Sequence, residues 1–261
     1  MHLVFAAHAE KAEPKAACRR LMKLAEDAGF TCEILSDQQT ATTDSDAVIV
    51  AVGGDGNFIR TAHKACERDL PLFGVNCGHV GFLTEWVEQD FQCALNALKS
   101  GAYQVKNAPM LSARVNETAV RDCFNDLLVY KKSFSGIARI SMEIDRQPIG
   151  TLNGDGIIVA TAVGATGYSL SAGGPILADG MDAMVITPIC VHTLSFRPIV
   201  AASGSVVTMT MADSGFLASD GDRFCTVQSG DRITVTRSER TVKLLTFRQR
   251  NLFRLISEKL F

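Results

Sequence analysis

Residues 53–56, Gly-Gly-Asp-Gly, carry the clearest chemical signal in the sequence. They follow the apolar run Ala47–Val52, which predicts a buried strand, and the pattern after them predicts a helix over residues 57–65. Glycines let the backbone approach phosphate oxygens closely, and a helix N-terminus adds partial positive charge. Asp55 would repel a phosphate unless it shares a metal ion or deprotonates a hydroxyl. The turn therefore predicts a phosphoryl-transfer enzyme that acts on an alcohol.

The other common nucleotide-binding motifs are absent from the sequence. It contains no Gly-x-x-x-x-Gly-Lys-Ser/Thr and no intact Gly-x-Gly-x-x-Gly after a strand. An ordinary Asp-Gly turn between a strand and a helix explains the four residues without any ligand. The functional interpretation therefore depends on further motifs along the chain.

Composition sets broad limits on the function. The 261 residues are 47% hydrophobic and 21% charged, with a net charge of −2, so we expect a soluble cytoplasmic protein without a nucleic-acid partner. No apolar run approaches the length of a membrane span. The eight cysteines and five histidines are dispersed, which predicts reduced thiols and leaves the metal ligands unidentified.

The chain divides into two parts with different patterns. Over residues 1–100, apolar runs at 3–7, 31–35, 47–52 and 70–75 alternate with helical segments, which predicts a parallel sheet covered by helices. In the first of these helices, Ala17, Leu21, Leu24 and Ala28 would form the buried face, with Gly29 ending the helix. Another helix is expected over residues 91–98, before Gly101.

Residues 101–246 show short alternating stretches instead. Those at 112–115, 124–130, 140–144, 156–160, 206–211, 233–236 and 242–246 predict a β-rich domain of the sandwich or multi-sheet type. Residues 247–261 form a third segment, helical over 251–260, which we expect to pack on the first domain.

Two motifs in the second part are suited to binding. The pair Asn125-Asp126 could bind an adenine or ribose edge, although an Asx turn entering a strand is the simpler explanation. Residues 164–175 are rich in Gly, Ser and Thr, which suits a surface that a flat ligand approaches closely, and Tyr168 offers a ring for stacking.

Taken together, these motifs resemble those of the NAD kinases, which phosphorylate the adenosine-ribose 2′-hydroxyl of NAD to give NADP. The resemblance runs over nearly the whole chain. It rests on five ordered segments: residues 53–56, 76–84 (Asn-x-Gly-x-x-Gly-Phe-Leu), 125–126, 154–156 with 166–175, and 187–198.

The resemblance implies an α/β N-terminal Rossmann-like domain with a parallel sheet, plus an all-β-rich C-terminal domain. It implies a homodimer or homotetramer whose NAD site is shared between subunits. ATP or polyphosphate would be the donor and NAD the substrate, with a divalent metal, for which Mg²⁺ is the expected ion. Asp55 would accept the proton of the 2′-hydroxyl. The residues implied in binding NAD or the donor phosphates are Gly53, Gly54, Gly56, Asn57, Arg60, Phe82, Asn125, Asp126, Arg139, Asn153, Asp155, Thr166, Gly167, Tyr168, Ser169, Leu170, Ser171 and Asp222.

Several positions depart from the family pattern. Asp126 stands where Glu is usual, Asn153 where Arg is frequent, and Asp222 where Gln, Asn or His is commoner; Val163 replaces a hydroxyl residue. Two other functions share some of these features: a lipid or sugar kinase with the same glycine turn, and a non-catalytic NAD-binding module. Incubation with ATP and NAD separates an NAD kinase from a lipid or sugar kinase, whereas the non-catalytic module predicts NAD binding without turnover.

Overall fold

The structure is a computed structural model that describes residues 1–8, 12–35, 46–78, 81–178, 180–192, 196–247 and 252–260. The chain forms two compact units, Met1–Ala108 with Thr241–Phe261, and Pro109–Arg240. Among the described helices, none has both the length and the apolar character needed to cross a membrane.

The first unit is an α/β unit with parallel strands. Its elements before the chain enters the second unit are β1 (His2–Ala7), α1 (Ala12–Asp27), β2 (Thr31–Ile34), β3 (Ala47–Val52), α2 (Asp55–Arg68), β4 (Leu72–Asn76), β5 (Trp86–Val87) and α3 (Phe91–Ser100). Parallel pairing gives the strand order β2-β1-β3-β4. The order reverses direction between β1 and β3, and the crevice at the carboxyl ends of two such strands is the usual ligand site of an open α/β sheet.

Strand β3 is buried on both faces, as its uninterrupted apolar run predicts. Val48, Val50 and Val52 share a core with side chains of α1 and α3. Helix α2 packs on β3 and β4, and Gly74 of β4 lies against the ring of Phe58.

The predicted face of α1 is partly wrong. Ala17 and Leu21 are buried, but Leu24 is 40% exposed and Ala28 lies beyond the helix end. Cys18 and Ala25 are buried instead, so the buried stripe is rotated away from Leu24. A periodic pattern gives the spacing of a helix face, whereas the neighbouring strands decide where its centre lies.

The second unit is built from antiparallel strands. Its elements are β6 (Gln104–Val115, which begins in the first unit), β7 (Thr118–Cys123), β8 (Asp126–Lys131), β9 (Ala138–Ile144), β10 (Gln147–Gly154), β11 (Gly156–Thr161), α4 (Tyr168–Ser171), β12 (Ala183–Ile189), β13 (Ile199–Ala202), β14 (Val207–Met211), β15 (Gly215–Ser219), β16 (Asp222–Val227) and β17 (Arg232–Thr246, which ends in the first unit). One sheet has the order β13-β12-β11-β8-β15-β16, and β10, β9, β14 and β17 are adjacent in another.

Both sheets contribute to one core in this unit, with Ile157 and Val159 of β11 packed in the same cluster as Ile140 and Met209. The alternate residues of β11 belong to a separate cluster on the opposite face, together with Ala165. The segment around Ala165 therefore lies on the outer face of the six-stranded sheet.

The structure corrects the prediction of separate strands at 233–236 and 242–246, because β17 is continuous from Arg232 to Thr246. The polar residues 237–241 suggest a break, yet the strand continues through them, and Ser238 is buried. The last helix, α5 (Leu252–Leu260), belongs to the first unit, where the Lys259 ammonium lies 5.7 Å from the ring centroid of Phe82.

We predict that Gly74→Ala destabilises the protein. An added Cβ would lie 2.7 Å from both Phe58 Cδ2 and Thr84 Cγ2, and such overpacking costs about 1–3 kcal/mol. Urea denaturation measures the change. Gly204→Ala is the matched control, because nothing lies within 4 Å of its added Cβ. Equal stability of the two variants would show that the Phe58 contact does not restrict Gly74.

Candidate functional site

The glycine turn connects β3 directly to α2. Gly53 has φ +135°, a conformation that side chains rarely allow, and its N–H donates to the Val75 carbonyl at 2.9 Å. Gly54 is the N-cap residue, so the helix begins at Asp55, two residues earlier than predicted. Asp55 is therefore held by helical geometry at the start of α2.

The Asp55 carboxylate accepts hydrogen bonds from the segment that follows β4. Oδ2 accepts the Phe82 N–H at 2.8 Å and Oδ1 accepts the Leu83 N–H at 3.1 Å. The Thr84 hydroxyl donates to Oδ1 at 3.4 Å. This hydroxyl also accepts from the Gly81 N–H at 2.9 Å and the Asn76 amide at 3.1 Å, so its hydrogen-bonding capacity is fully used.

Gly81 makes this arrangement possible. A Cβ at this position would overlap Asp55 Oδ1 and would lie 2.6 Å from Thr84 Oγ1. The close approach therefore requires a residue without a side chain.

A cavity of about 410 Å³ lies at the carboxyl ends of β1 and β2, along α2. Its polar lining comes from His8, Asn57, Arg60, Thr61 and Lys64. Arg60 Nη1 is 2.6 Å from His8 Nε2. The Asn57 amide donates to carbonyls at the ends of β1 and β3, Ala6 at 3.0 Å and Val52 at 3.1 Å, so it holds the two strand ends together. The cavity is lined by cationic side chains, which suits an anionic ligand.

In the part of the chain that the structure describes, no three His, Cys, Asp or Glu side chains are grouped as a metal site would require. The turn offers one carboxylate, Asp55. A dedicated protein cage for a metal is therefore not formed by these residues.

In the second unit, the Asn125-Asp126 pair lies where the chain enters β8. The Asp220 carboxylate accepts the N–H groups of Phe124, Asn125 and Asp126. On the other side, the Thr161 N–H and hydroxyl donate to the carbonyls of Asn125 and Phe124, each at 2.8 Å. The Asp220 side chain thus holds one polar edge of this turn, and Thr161 at the end of β11 holds the other.

Both side chains of the pair are buried, one with an amide oxygen that lacks a hydrogen-bond partner among the described residues and the other with a raised pKa. Asn125 Oδ1 has no hydrogen-bond partner among the described residues, and a buried acceptor without a donor costs about 1–3 kcal/mol. Burial, and then the nearby Asp220 carboxylate, raise the pKa of Asp126 to about 7. An unsatisfied amide oxygen next to a carboxyl group of raised pKa is typical of a site that awaits a polar ligand.

The segment from Gly164 to Ser171 folds over this pair as a 3₁₀ turn followed by α4. A Cβ on Gly164 would overlap the Asn125 carbonyl, and one on Gly167 would lie 3.3 Å from the Asn125 amide nitrogen. Tyr168 is 45% exposed, so its ring is accessible. Ser169 is fully buried and its hydroxyl bonds to that of Thr187 at 2.8 Å. Of the other residues in this segment, Thr166 and Leu170 are partly buried and Ser171 is exposed.

Asp155 lies between β10 and β11 and forms an ion pair. Its Oδ1 is 2.6 Å from Lys131 Nζ, and the Tyr130 hydroxyl is 3.5 Å from Oδ2. Lys131 also donates to the Gly136 carbonyl at 3.0 Å. The negative charge of Asp155 is therefore largely compensated.

The remaining expected residues lie elsewhere in this unit. Arg139 and Asn153 are neighbours across β9 and β10, and Arg139 is 3.6 Å from Asp213. Asp222 is exposed at the start of β16. The structure thus brings Asn125, Asp126 and Gly167 together, while Arg139 and Asn153 pair on the other sheet.

Sequence reasoning missed Thr84, Thr161 and Asp220. Thr84 is the last residue of the motif at residues 76–84, but the sequence analysis assigned it no role. Asp220 is followed by Gly221, and an Asp-Gly pair between two alternating stretches is a strong hairpin signal. That signal would have found the turn, although not its hydrogen bonds to a distant segment.

Comparison with known proteins agrees with this geometry. The profile of the ATP-NAD kinase N-terminal domain matches residues 4–103, and that of the C-terminal domain matches residues 124–247. An NAD kinase of Geotalea daltonii is 35% identical over 238 residues, 88% of this chain and 84% of that protein. An NAD kinase of Natranaerobius thermophilus is 36% identical over 220 residues, 82% and 77% of the two chains.

Two solved structures share the fold. Yeast NADH kinase, crystallised with NADH, has a TM-score of 0.85 at 18% identity and is matched over 100% of this chain and 87% of its own. An NAD kinase from Archaeoglobus fulgidus, in complex with ATP, has a TM-score of 0.74 at 23% identity, over 99% and 97% of the two chains. The expected fold, a parallel α/β domain and a β-rich domain, is confirmed. Because both profiles match and relatives at 35–36% identity extend over more than four fifths of it, the chain belongs to the NAD kinase family and is an enzyme of that family.

Proposed function

We propose that this NAD kinase transfers a phosphoryl group from ATP, another nucleoside triphosphate or polyphosphate to the 2′-hydroxyl of the adenosine ribose of NAD. The observation that carries the proposal is the position of Asp55. Its carboxylate stands at the N-terminus of α2, directly after two glycines, and each oxygen is oriented by a backbone N–H. A phosphate-binding turn that contains an oriented carboxylate fits phosphoryl transfer to a hydroxyl.

The chemistry assigned to Asp55 is orientation followed by proton acceptance. Oδ1 accepts two hydrogen bonds, from Leu83 and Thr84, whereas Oδ2 accepts one, from Phe82, and keeps an acceptor site for a substrate hydroxyl. The hydroxyl donates to one oxygen and is thereby aimed at the phosphorus. Because the transition state of phosphoryl transfer is loose, the proton leaves late and positioning matters more than base strength.

The donor phosphates are assigned to the first unit. Gly53 and Gly54 leave the N–H groups at the start of α2 accessible to an anion, and the helix dipole favours negative charge there. Arg60 and Lys64 extend this positive region along the cavity. The related Archaeoglobus protein is described in complex with ATP, which supports a nucleotide donor.

A divalent metal fits this donor set. In kinase sites Mg²⁺ is usually held by one or two carboxylates together with substrate phosphates. Asp55 is the residue of the turn that could hold it, and the ion would neutralise charge on the donor phosphates. The protein residues themselves position the hydroxyl and the donor.

NAD binding is assigned to the second unit. The unsatisfied Asn125 oxygen can accept from a donor on adenine or ribose, and Asp126 can accept from hydroxyls. The accessible ring of Tyr168 can stack on an aromatic part of the ligand. Asp155, Arg139, Asn153 and Asp222 remain proposed contacts.

The proposed reaction is tested by an assay of NADP formation, coupled to an NADP-specific dehydrogenase. ATP, a second nucleoside triphosphate and polyphosphate are compared as donors, and NAD and NADH as acceptors. Formation of NADP from NAD supports the proposal. Phosphorylation of NAD at any position other than the 2′-hydroxyl would contradict it.

We predict that Asp55→Asn lowers kcat by about 10²–10⁴-fold, the usual cost of losing a general base. NAD affinity should change little, because the binding contacts assigned to NAD lie in the second unit. Steady-state kinetics and calorimetry measure the two effects. Asp69→Asn is the control, since Asp69 caps the other end of α2 and is mostly exposed. An Asp55→Asn enzyme within threefold of wild type would remove Asp55 from the chemistry.

We predict that Thr84→Val lowers kcat by about 10- to 100-fold, because Asp55 loses one of the groups that orient it. Thr84→Ser keeps the hydroxyl and should retain most of the activity. Thr208→Val, at a buried threonine of β14, controls for the general effect of removing a buried hydroxyl. Full activity in Thr84→Val, with a loss in Thr84→Ser, would show that Thr84 acts through packing alone.

We further propose a homodimer or homotetramer whose NAD site includes residues of two subunits. Mixing Asp55→Asn with Asp155→Ala should then restore activity, because random pairing makes about half of the dimers mixed, each with one intact site. We expect roughly a quarter of wild-type activity. If mass spectrometry confirms subunit exchange and activity stays at the level of the separate variants, the shared-site proposal is wrong.

A further inference from the structure

Asp220 forms several hydrogen bonds with the Asn125-Asp126 turn, although the proposed function gives Asp220 no role. Its Oδ2 accepts the Phe124 N–H at 2.7 Å, and its Oδ1 accepts those of Asn125 at 2.7 Å and Asp126 at 3.1 Å. Its own N–H donates to the Asp126 carbonyl at 3.0 Å. One side chain therefore fixes three successive peptide groups.

The position of Asp220 is itself fixed. Asp220 and Gly221 form the two-residue loop between β15 and β16, with φ of +51° and +87°, as in a type I′ hairpin. Ser219 pairs with Leu127 in the adjacent strand, and its hydroxyl donates to the Asp122 carbonyl at 3.0 Å. The carboxylate is thus presented to the turn by the six-stranded sheet.

The Asp126 carboxyl group is buried, and burial is the larger cause of its raised pKa. The second cause is the negative charge of Asp220. The other titratable groups nearby are at the end of β7: the buried thiol of Cys123, and Asp122, which pairs with Arg240 at 3.6 Å. Strand β11 and residues 164–167 bring no charged side chain.

We propose that Asp220 is a positioning residue for NAD binding: its carboxylate holds the Asn125-Asp126 turn in shape and places a negative charge near the Asp126 carboxyl group. Like-charge repulsion in a buried site favours the neutral form of one partner, so the charge of Asp220 adds to the effect of burial on Asp126. The proposal rests on the proposed function in one respect, the assignment of Asn125 and Asp126 to NAD.

The consequence is a pH-dependent affinity. An ionised carboxylate accepts hydrogen bonds from two ribose hydroxyls, whereas the protonated group has fewer acceptor sites. NAD should therefore bind more tightly as the pH rises through the range in which Asp126 loses its proton. Without the charge of Asp220, this range should lie at lower pH.

The first experiment needs no ligand. Urea denaturation of wild type and Asp126→Asn is compared from pH 4 to pH 9. In the unfolded chain Asp126 titrates near its ordinary pKa of about 4, while in the folded chain its pKa is raised. Between these values the folded state binds the extra proton, so wild type loses stability relative to Asp126→Asn as the pH rises, and the difference becomes constant above the folded pKa.

The same comparison is then made in an Asp220→Asn background. Asn keeps the left-handed conformation of the turn accessible, and Asp220→Ser provides a second neutral variant. We expect the difference in unfolding free energy between the proteins with and without Asp126→Asn to become constant at a lower pH than in the wild-type background, by about one unit or more. The matched control is Asp145→Asn, at the same position of another two-residue loop, whose carboxylate accepts one N–H, that of Val206 at 2.8 Å. A plateau at the wild-type pH in both Asp220 variants would overturn the proposal.

The second experiment measures NAD binding by calorimetry at pH 6 and pH 8. Wild type should bind about tenfold more tightly at pH 8, as follows from a group with a pKa near 7. Asp126→Asn should lose this dependence, and Asp220→Asn should reduce it and weaken binding at pH 8. If the unfolding plateau moves as expected but no variant shows pH-dependent affinity, the link to NAD is overturned, and so is the assignment of Asp126 in the proposed function. If the pH of the unfolding plateau does not move in the Asp220 variants, Asp220 does not act on Asp126 as proposed. That conclusion holds whichever residues bind NAD.

Discussion

The site segments of both units depend on a carboxylate that accepts backbone N–H groups of a loop or of the residues where a loop enters a strand. Asp55 holds residues 82 and 83 in this way, and Asp220 holds residues 124–126. Hydrogen bonds to a charged acceptor are stronger than those between neutral groups. A single side chain also fixes several peptide planes at once. Apolar packing could not impose that geometry on polar loops, because it has no direction.

These contacts work only where another residue leaves room. Gly81 allows the loop after β4 to lie against Asp55, and Gly164 allows its segment to lie against the Asn125 carbonyl. In both places the acceptor sets the orientation of the backbone and the glycine sets the distance. Changing either would move the functional group, even though neither glycine has any side chain that could touch a ligand.

The sequence predicts the regular elements better than their contacts. Strand β3 was predicted with correct ends because its apolar run is bounded by Asp46 and Gly53. The glycine turn and the Asn125-Asp126 pair were found because they are contiguous in sequence. The roles of Thr84 and Asp220 were not found, because their partners are 29 and about 95 residues away. Only the fold brings such groups together, and the burial that raises the pKa of Asp126 has the same origin.

The first unit is discontinuous in sequence, and this has a consequence for synthesis on the ribosome. Leu244 pairs with Leu72 of β4, and the ring of Phe247 packs edge-on against Phe73 at 5.0 Å and Trp86 at 5.4 Å. The second unit is one uninterrupted stretch, Pro109–Arg240, so all of its residues emerge before these contacts can form. All residues of the second unit are therefore available for folding before the first unit has its C-terminal residues. Until residues 241–247 emerge, the apolar surface at Phe73 and Trp86 stays uncovered, which is when a chaperone would have most to bind.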